Sequence, residues 1–212
     1  MHRSVLLLGA TGLIGRQTLQ LLLADETVSR VVVIARRATG TQHPKLEEHV
    51  FDLAEMQRHA DLFAVDQIVC ALGTTIKQAK SQEQFRRIDR DYPILAARLG
   101  LAHAAHHDLL VSSLGANRHS RVFYNRVKGE VESELLELGY PSVTILRPSF
   151  LVGPRDELRL GEKIVTRLGF LMPTRVRPID ARVVARAIVE LAREDAPGGR
   201  IIESAEMRDR FL

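Results

Sequence analysis

Short runs of aliphatic and β-branched residues alternate along the chain with longer stretches in which apolar positions recur every three or four residues. The first pattern marks buried strands and the second amphipathic helices. The short runs fall at 4–8, 30–35, 49–52, 67–72, 108–112, 142–147 and 200–204, and helical periodicity covers 12–24, 53–63, 81–105, 124–138, 161–171 and 181–193. Strands regularly separated by helices are the signature of βα units, whose crossovers make neighbouring strands parallel. The expected fold is α/β, a doubly wound, mainly parallel seven-stranded sheet. Helix signals agree: Ser81 precedes Glu83 and Gln84, Gly139 follows Leu138, and Pro141 prevents continuation. Gly100 weakens the long stretch at 81–105 near its end, and for the segment after Ser204 both packing back on the sheet and staying loose are open. With no internal repeat and no Pro-, Gly- or Ser-rich linker, residues 1–212 are expected to form one domain.

Charge narrows the function classes. The net charge is +4, but the arginines are interleaved with acids, as in Arg86, Arg87, Asp89, Arg90 and Asp91, which is the pattern of a solvated helix face. Aromatic residues make up 5% with no Trp, too few for a stacking platform, so no nucleic-acid partner is expected. No stretch reaches the roughly 18 apolar residues of a membrane span. The single cysteine, Cys70, excludes an intrachain disulfide and offers no zinc spacing. His103, His106 and His107 beside Asp108 read as a cationic helix end entering a strand, so no metal site is expected. These features lead to the expectation of a cytoplasmic protein.

The chemistry begins at GATGLIG over 9–15, which follows the first apolar run and opens the first helical stretch. In that context Gly9 permits a tight turn, Gly12 lets the backbone approach a pyrophosphate, and Gly15 allows close helix packing. Unpaired amides of the first helical turn stabilise the negative charge, so Thr11, Leu13 and Ile14 join the expected cofactor-binding set. This is the Rossmann dinucleotide fingerprint. About twenty residues on, an NAD protein usually places an acid against the ribose 2′-hydroxyl. Here the strand ends Ile34, Ala35, Arg36, Arg37. Two guanidinium groups suit a 2′-phosphate, so NADP is expected rather than NAD. Asp52, followed by Leu53, is placed to reach the adenine and equally to cap the next helix.

Tyr124 and Lys128 are four apart in a helical stretch and share a face. A phenol beside an ammonium can protonate a carbonyl, because the positive charge stabilises the phenolate left behind. Ser112 and Ser113 end the fifth strand, where a hydroxyl can hold that carbonyl. Lys77 and Lys80, with Arg175 and Arg177, occupy loops able to border a pocket for an anionic substrate.

The GATGLIG turn, CALGTT at 70–75, Val-Ser-Ser at 111–113, YNRVKGE from Tyr124 and Leu-Arg-Pro at 146–148 resemble an atypical short-chain dehydrogenase/reductase. IDRDYPILAARLG at 88–100 and YNRVKGEVE at 124–132 resemble most specifically the small branch that includes the Tat-interacting protein. The resemblance implies Tyr124 as general acid, Lys128 as the group that supports it and holds the nicotinamide ribose, and Ser113 rather than Ser112 as the carbonyl-binding serine. It also implies that Leu72, Gly73 and Thr74 line the cofactor after the fourth strand and that Pro148 meets its nicotinamide end. Two departures stand out: Asp89 replaces the asparagine of many members, which leaves their proton-relay water in question, and the interval from Ser113 to Tyr124 is short.

The implied activity is NADP-dependent reduction of a carbonyl on a small-molecule substrate, with a homodimer through the Tyr124 helix as one form the family takes. Only about sixty residues follow Pro148, so the C-terminal substrate-side portion is small. Two other classes stay open. One is an NADP-binding regulatory or protein-interaction module without turnover, and the other an epimerase or dehydratase that retains its cofactor.

Overall fold

A computed structural model describes residues 2–152 and 176–212. The expected helix at 161–171, together with Arg175, lies outside the described residues. Seven strands form one sheet: β1 (Arg3–Leu8), β2 (Val28–Ala35), β3 (Leu46–Val50), β4 (Gln67–Cys70), β5 (His107–Val111), β6 (Ser142–Arg147) and β9 (Gly198–Glu203). Their order is β3-β2-β1-β4-β5-β6-β9, and every neighbouring pair is parallel. A two-stranded ribbon of β7 (Leu151–Val152) and β8 (Ile179–Asp180) lies beyond β6 in the chain.

Alternation along β1 divides the interior into two layers. Val5 and Leu7 face α1 (Leu13–Ala24) and α6 (Ala181–Glu194), packing with Leu19, Leu22, Val184 and Ile188. Leu6 and Leu8 face the other side, with Ile34, Ile68 and Tyr92. That side is covered by a kinked 3₁₀ segment (Leu53–Phe63), α4 (Tyr92–Ala102) and α5 (Phe123–Glu137). Both faces of the central strands are dry, which is why those strands read as unbroken apolar runs. Among the described residues no helix is long and apolar enough to cross a membrane.

Three elements differ from expectation, each for a physical reason. Strand β3 begins three residues earlier than its apolar signal, because as an edge strand it carries Glu47 and Glu48, with Glu47 paired to Arg30 at 2.7 Å. The stretch expected as one helix at 81–105 is divided. After α2 (Ile76–Ala79), Ser81 caps α3 (Gln82–Arg86) by accepting from the Gln84 amide at 3.0 Å. A π turn (Arg87–Asp91) then precedes α4, with the Tyr92 amide donating to the Arg87 carbonyl. Pro93 supplies the cause, since in an unbroken α-helix its missing N–H would leave the Asp89 carbonyl unpaired and its ring would clash there. Finally, the segment after β9 forms α7 (Ser204–Phe211), which buries Met207 against α6.

Strand β5 carries two ionisable groups into the interior. His106 and His107 converge on Asp195, at 2.7 and 2.9 Å, in place of the expected cationic helix end. Burial holds His107 neutral, down to about 4, against the pull of Asp195. Burial likewise pushes the Asp108 carboxyl up to about 8 from its ordinary 3.8.

The signs follow from which state binds the proton. Below its ordinary 6.5 an unfolded His107 gains a proton that the folded one refuses, so stability falls as pH drops towards 4. Asp108 is protonated in the fold where the unfolded chain has released its proton, so stability falls as pH rises from 3.8 towards 8. Asp108→Asn is therefore expected to raise the melting temperature at pH 8 by at least about 2–4 °C, the equivalent of 1 kcal/mol in a chain of this size. The gain should be smaller at pH 5, with the acid limb unchanged. An equal gain at both values would show that the carboxyl is ionised in the fold throughout.

Candidate functional site

The cleft is built around the turn that joins β1 to α1. Gly9 has φ of +85°, and a Cβ there would overlap the Ala71 carbonyl at the end of β4. A Cβ on Gly15 would overlap the carbonyl of Gly9, so the helix closes directly onto the turn. Gly12 is the N-cap of α1 and has no capping side chain. The first amides of that helix are thus left for whatever occupies the cleft.

Two adjoining cavities of about 630 and 290 Å³ run across the carboxyl ends of the strands. They share Gly12 and the stretch from Ala71 to Thr74. The sheet order turns outward in both directions from β1 and β4, and open α/β sheets bind ligands at this kind of switch point. The larger cavity lies within the range of about 300–1,000 Å³ typical of ligand sites.

The larger cavity extends from Gly9 and Thr11 to Arg36, Arg37, Asp52 and Leu53. Arg36 and Arg37 are exposed at its rim. Asp52 does both things its position allowed, accepting from the Ala54 amide at 2.9 Å to cap the 3₁₀ segment while forming part of the wall. Sequence reading missed Arg87 and Tyr92, which complete this end, the guanidinium lying 5.4 Å from the centre of the phenol ring. Lys80 and Gln84 line it as well. The available signal was Pro93, which marks the π turn that brings Arg87 to the cavity.

The smaller cavity reaches Leu13, Ile14, Tyr124, Lys128 and Pro148. The Tyr124 ring packs 5.5 Å from Phe85. Lys128 is 3% exposed, and its Nζ lies 2.8 Å from Oδ1 of Asp89, itself 1% exposed. Burial alone would favour the neutral amine, but the charge of Asp89 and the nearby Tyr124 more than offset it and hold the ammonium above its ordinary range.

One turn further along α5, buried Glu132 accepts from the hydroxyl of Ser112 and from Nε of Arg147 at 3.0 Å. Ser112 contributes to the cavity wall, but its hydroxyl is committed to Glu132. The Ser113 hydroxyl is buried and has no hydrogen-bond partner among the described residues. Four expected residues do not line either cavity: Ser113, Gly15, which sits behind the turn, and Lys77 and Arg177, expected to border a pocket.

Residues 5–113, just over half of the chain, match the NAD dependent epimerase/dehydratase family. The chain belongs to this family. Within it, the chain is 33% identical to the Protein HTATIP2 of Rattus norvegicus over 81% of this chain and 72% of that one, which bears out the resemblance to the Tat-interacting protein branch. It is 28% identical to the mitochondrial Protein FMP52 of Candida albicans, over 99% of this chain and 93% of that one.

Solved structures of this fold include the Bordetella bronchiseptica enzyme WbmG in complex with NAD, with a TM-score of 0.71 and 18% identity, covering 100% of this chain and 76% of that one. MoeE5 in complex with UDP-glucose and NAD superposes with a TM-score of 0.74 and 17% identity, covering 93% and 74%. At such identity the likeness shows the Rossmann architecture alone.

One expectation is overturned. The FMP52 relatives from three yeasts are named mitochondrial, which conflicts with a purely cytoplasmic location. A lone cysteine and the lack of a long apolar stretch constrain disulfides and membrane spans, and neither distinguishes one compartment from another.

Closure of the turn is directly testable. Gly15→Ala is expected to destabilise the protein by about 1–3 kcal/mol, the scale of an overpacked interior, measured by denaturant unfolding. An unchanged midpoint would mean that helix and turn do not close on one another.

Proposed function

We propose that the protein is an NADP-dependent oxidoreductase of the short-chain dehydrogenase/reductase type that reduces the carbonyl of a small-molecule substrate. The observation that carries this reading is one continuous cleft with two arginines in place of an acid directly after β2 at one end, and Tyr124 beside the buried Lys128 ammonium at the other. Binding alone does not call for a phenol next to a buried ammonium, which speaks against a purely regulatory module. The two cores share the central strands, which supports reading 1–212 as one domain.

In this reading the first-turn amides of α1 and the backbone from Leu72 to Thr74 hold the pyrophosphate and its flanks. Arg36 and Arg37 bind the 2′-phosphate, where planar guanidinium groups make paired bonds that a neutral ribose cannot offer. Asp52 and Leu53 border the adenine. Lys128 holds the nicotinamide ribose and Pro148 meets the nicotinamide end. The nicotinamide, when bound, supplies the hydride. Tyr124 donates its phenolic proton to the carbonyl oxygen, and the Lys128 ammonium stabilises the phenolate that remains. Ser113 is assigned to the same carbonyl oxygen, a role that requires its buried hydroxyl, which has no partner among the described residues, to open to the smaller cavity.

The family match favours one second reading, an epimerase or dehydratase that keeps its dinucleotide through turnover. The two are separated by following NADPH oxidation across a panel of carbonyl compounds. Stoichiometric release of NADP supports the reductase. Cofactor that purifies with the protein and is never released supports the second reading.

Tyr124→Phe is expected to leave NADPH affinity within about twofold while lowering turnover by at least about a hundredfold, the scale of a lost general acid. Unchanged turnover would remove Tyr124 from the mechanism. Replacing both Arg36 and Arg37 with Ala is expected to weaken NADPH by at least about tenfold, consistent with the loss of charge-assisted bonds, with little effect on NADH. Titrations showing equal losses for the two cofactors would contradict the 2′-phosphate assignment.

A further inference from the structure

Asp89 stands where the family resemblance implied an asparagine, and its surroundings give it a task. Two opposite charges removed from water are tolerated when each is paired and the remaining hydrogen-bonding capacity is met, and removing one strands the other. The acid is ion-paired through one oxygen and hydrogen-bonded through the other. Oδ1 lies 2.8 Å from the Lys128 ammonium, and Oδ2 accepts the Thr74 amide at 2.9 Å. Thr74 belongs to the wall common to both cavities, while Lys128 projects from α5 on the face that carries Tyr124. One carboxylate therefore ties the loop after β4 to the helix of the proton donor. Gly73 leaves room for it, since even a Cβ there would come only within 3.8 Å of Oδ1. The π turn brings Asp89 inward, and π turns of this kind recur at functional sites.

We infer that Asp89 is a positioning residue, which fixes the Lys128 ammonium and the Thr74 peptide as one unit against which the dinucleotide is held. The inference rests on reading the cleft as a nicotinamide-dinucleotide site. An ammonium has three donors. Asp89 holds the Lys128 ammonium at ion-pair distance beside the cavity wall. Because the acid matches the base, the lysine keeps its charge without leaving net charge in the buried floor of the cleft.

The test is a double-mutant cycle of wild type, Asp89→Asn, Lys128→Gln and the two together, each measured by thermal unfolding and by NADPH fluorescence titration. Asparagine keeps an acceptor for the Thr74 amide while removing the charge. Asp89→Asn and Lys128→Gln are each expected to weaken NADPH about tenfold, within the usual range of pairwise coupling, and the double variant is expected to bind no more weakly than Lys128→Gln.

A further loss of about tenfold in the double variant would overturn the inference, since independent sites add their effects. Where a single variant fails to fold, the double variant reads the same coupling. Its recovery of a folded state supports the pairing, and its failure overturns it. Wild-type binding with an unaltered Asp89→Asn affinity would overturn the role of Asp89 alone. A wild type that binds neither NADPH nor NADH would instead overturn the cofactor reading itself.

Discussion

The close approach of the β1–α1 turn to the end of β4, and of α1 to that turn, permitted by two missing Cβ atoms, is the constraint on which the rest of the cleft depends. Gly9 meets the Ala71 carbonyl and Gly15 meets Gly9, so strand, turn, helix and the neighbouring strand are drawn into contact at one place. That contact fixes where the uncapped N-terminus of α1 opens, and it brings the loop after β4 alongside. Both cavities share this meeting point. The remaining site residues are placed relative to it by the parallel sheet, which sets each strand end in a fixed lateral order.

A second line of order runs along α5. Tyr124, Lys128 and Glu132 are spaced four apart, so a single helical face presents a phenol, an ammonium and a carboxylate in succession. The first borders the smaller cavity, the second pairs with Asp89, and the third gathers Ser112 and Arg147. Arg147 also lies 3.8 Å from Glu203 on β9. Side chains just after β5, on β6 and on β9 are thereby linked to the helix that carries Tyr124. Each charge is matched where it is buried, as it must be in a low-dielectric interior.

Much of this was legible in the sequence because it is written in local patterns. Strand runs, helix periods and glycine spacing are properties of neighbouring residues, and they located the seven strands of the main sheet and the turn. What escaped depends on contacts between distant segments. The edge position of β3 relieves it of the need to be apolar, so its polar start carried no strand signal. The break in the helix at 87–91 was announced by Pro93, but only the three-dimensional path shows that it brings Arg87 to one cavity and Asp89 to the other. Likewise, nothing near Ser112 in the sequence indicates that Glu132 would claim its hydroxyl. Compartment was misread for another reason, since the features used bear on cross-links and membranes and not on cellular address.

The two ends of the cleft differ in how their charge is disposed. Among the described residues, the wall of the larger cavity carries Arg36, Arg37, Lys80 and Arg87 against the single carboxylate Asp52, whereas the smaller cavity holds Lys128 cancelled by Asp89. The cleft is therefore electrically polar along its length, with a field that low-dielectric walls concentrate. An elongated ligand with its negative charge at one end meets a gradient before it meets any specific contact. Its orientation is selected during approach, and the rate of encounter depends on ionic strength even though the charges at the far end, among the described residues, cancel.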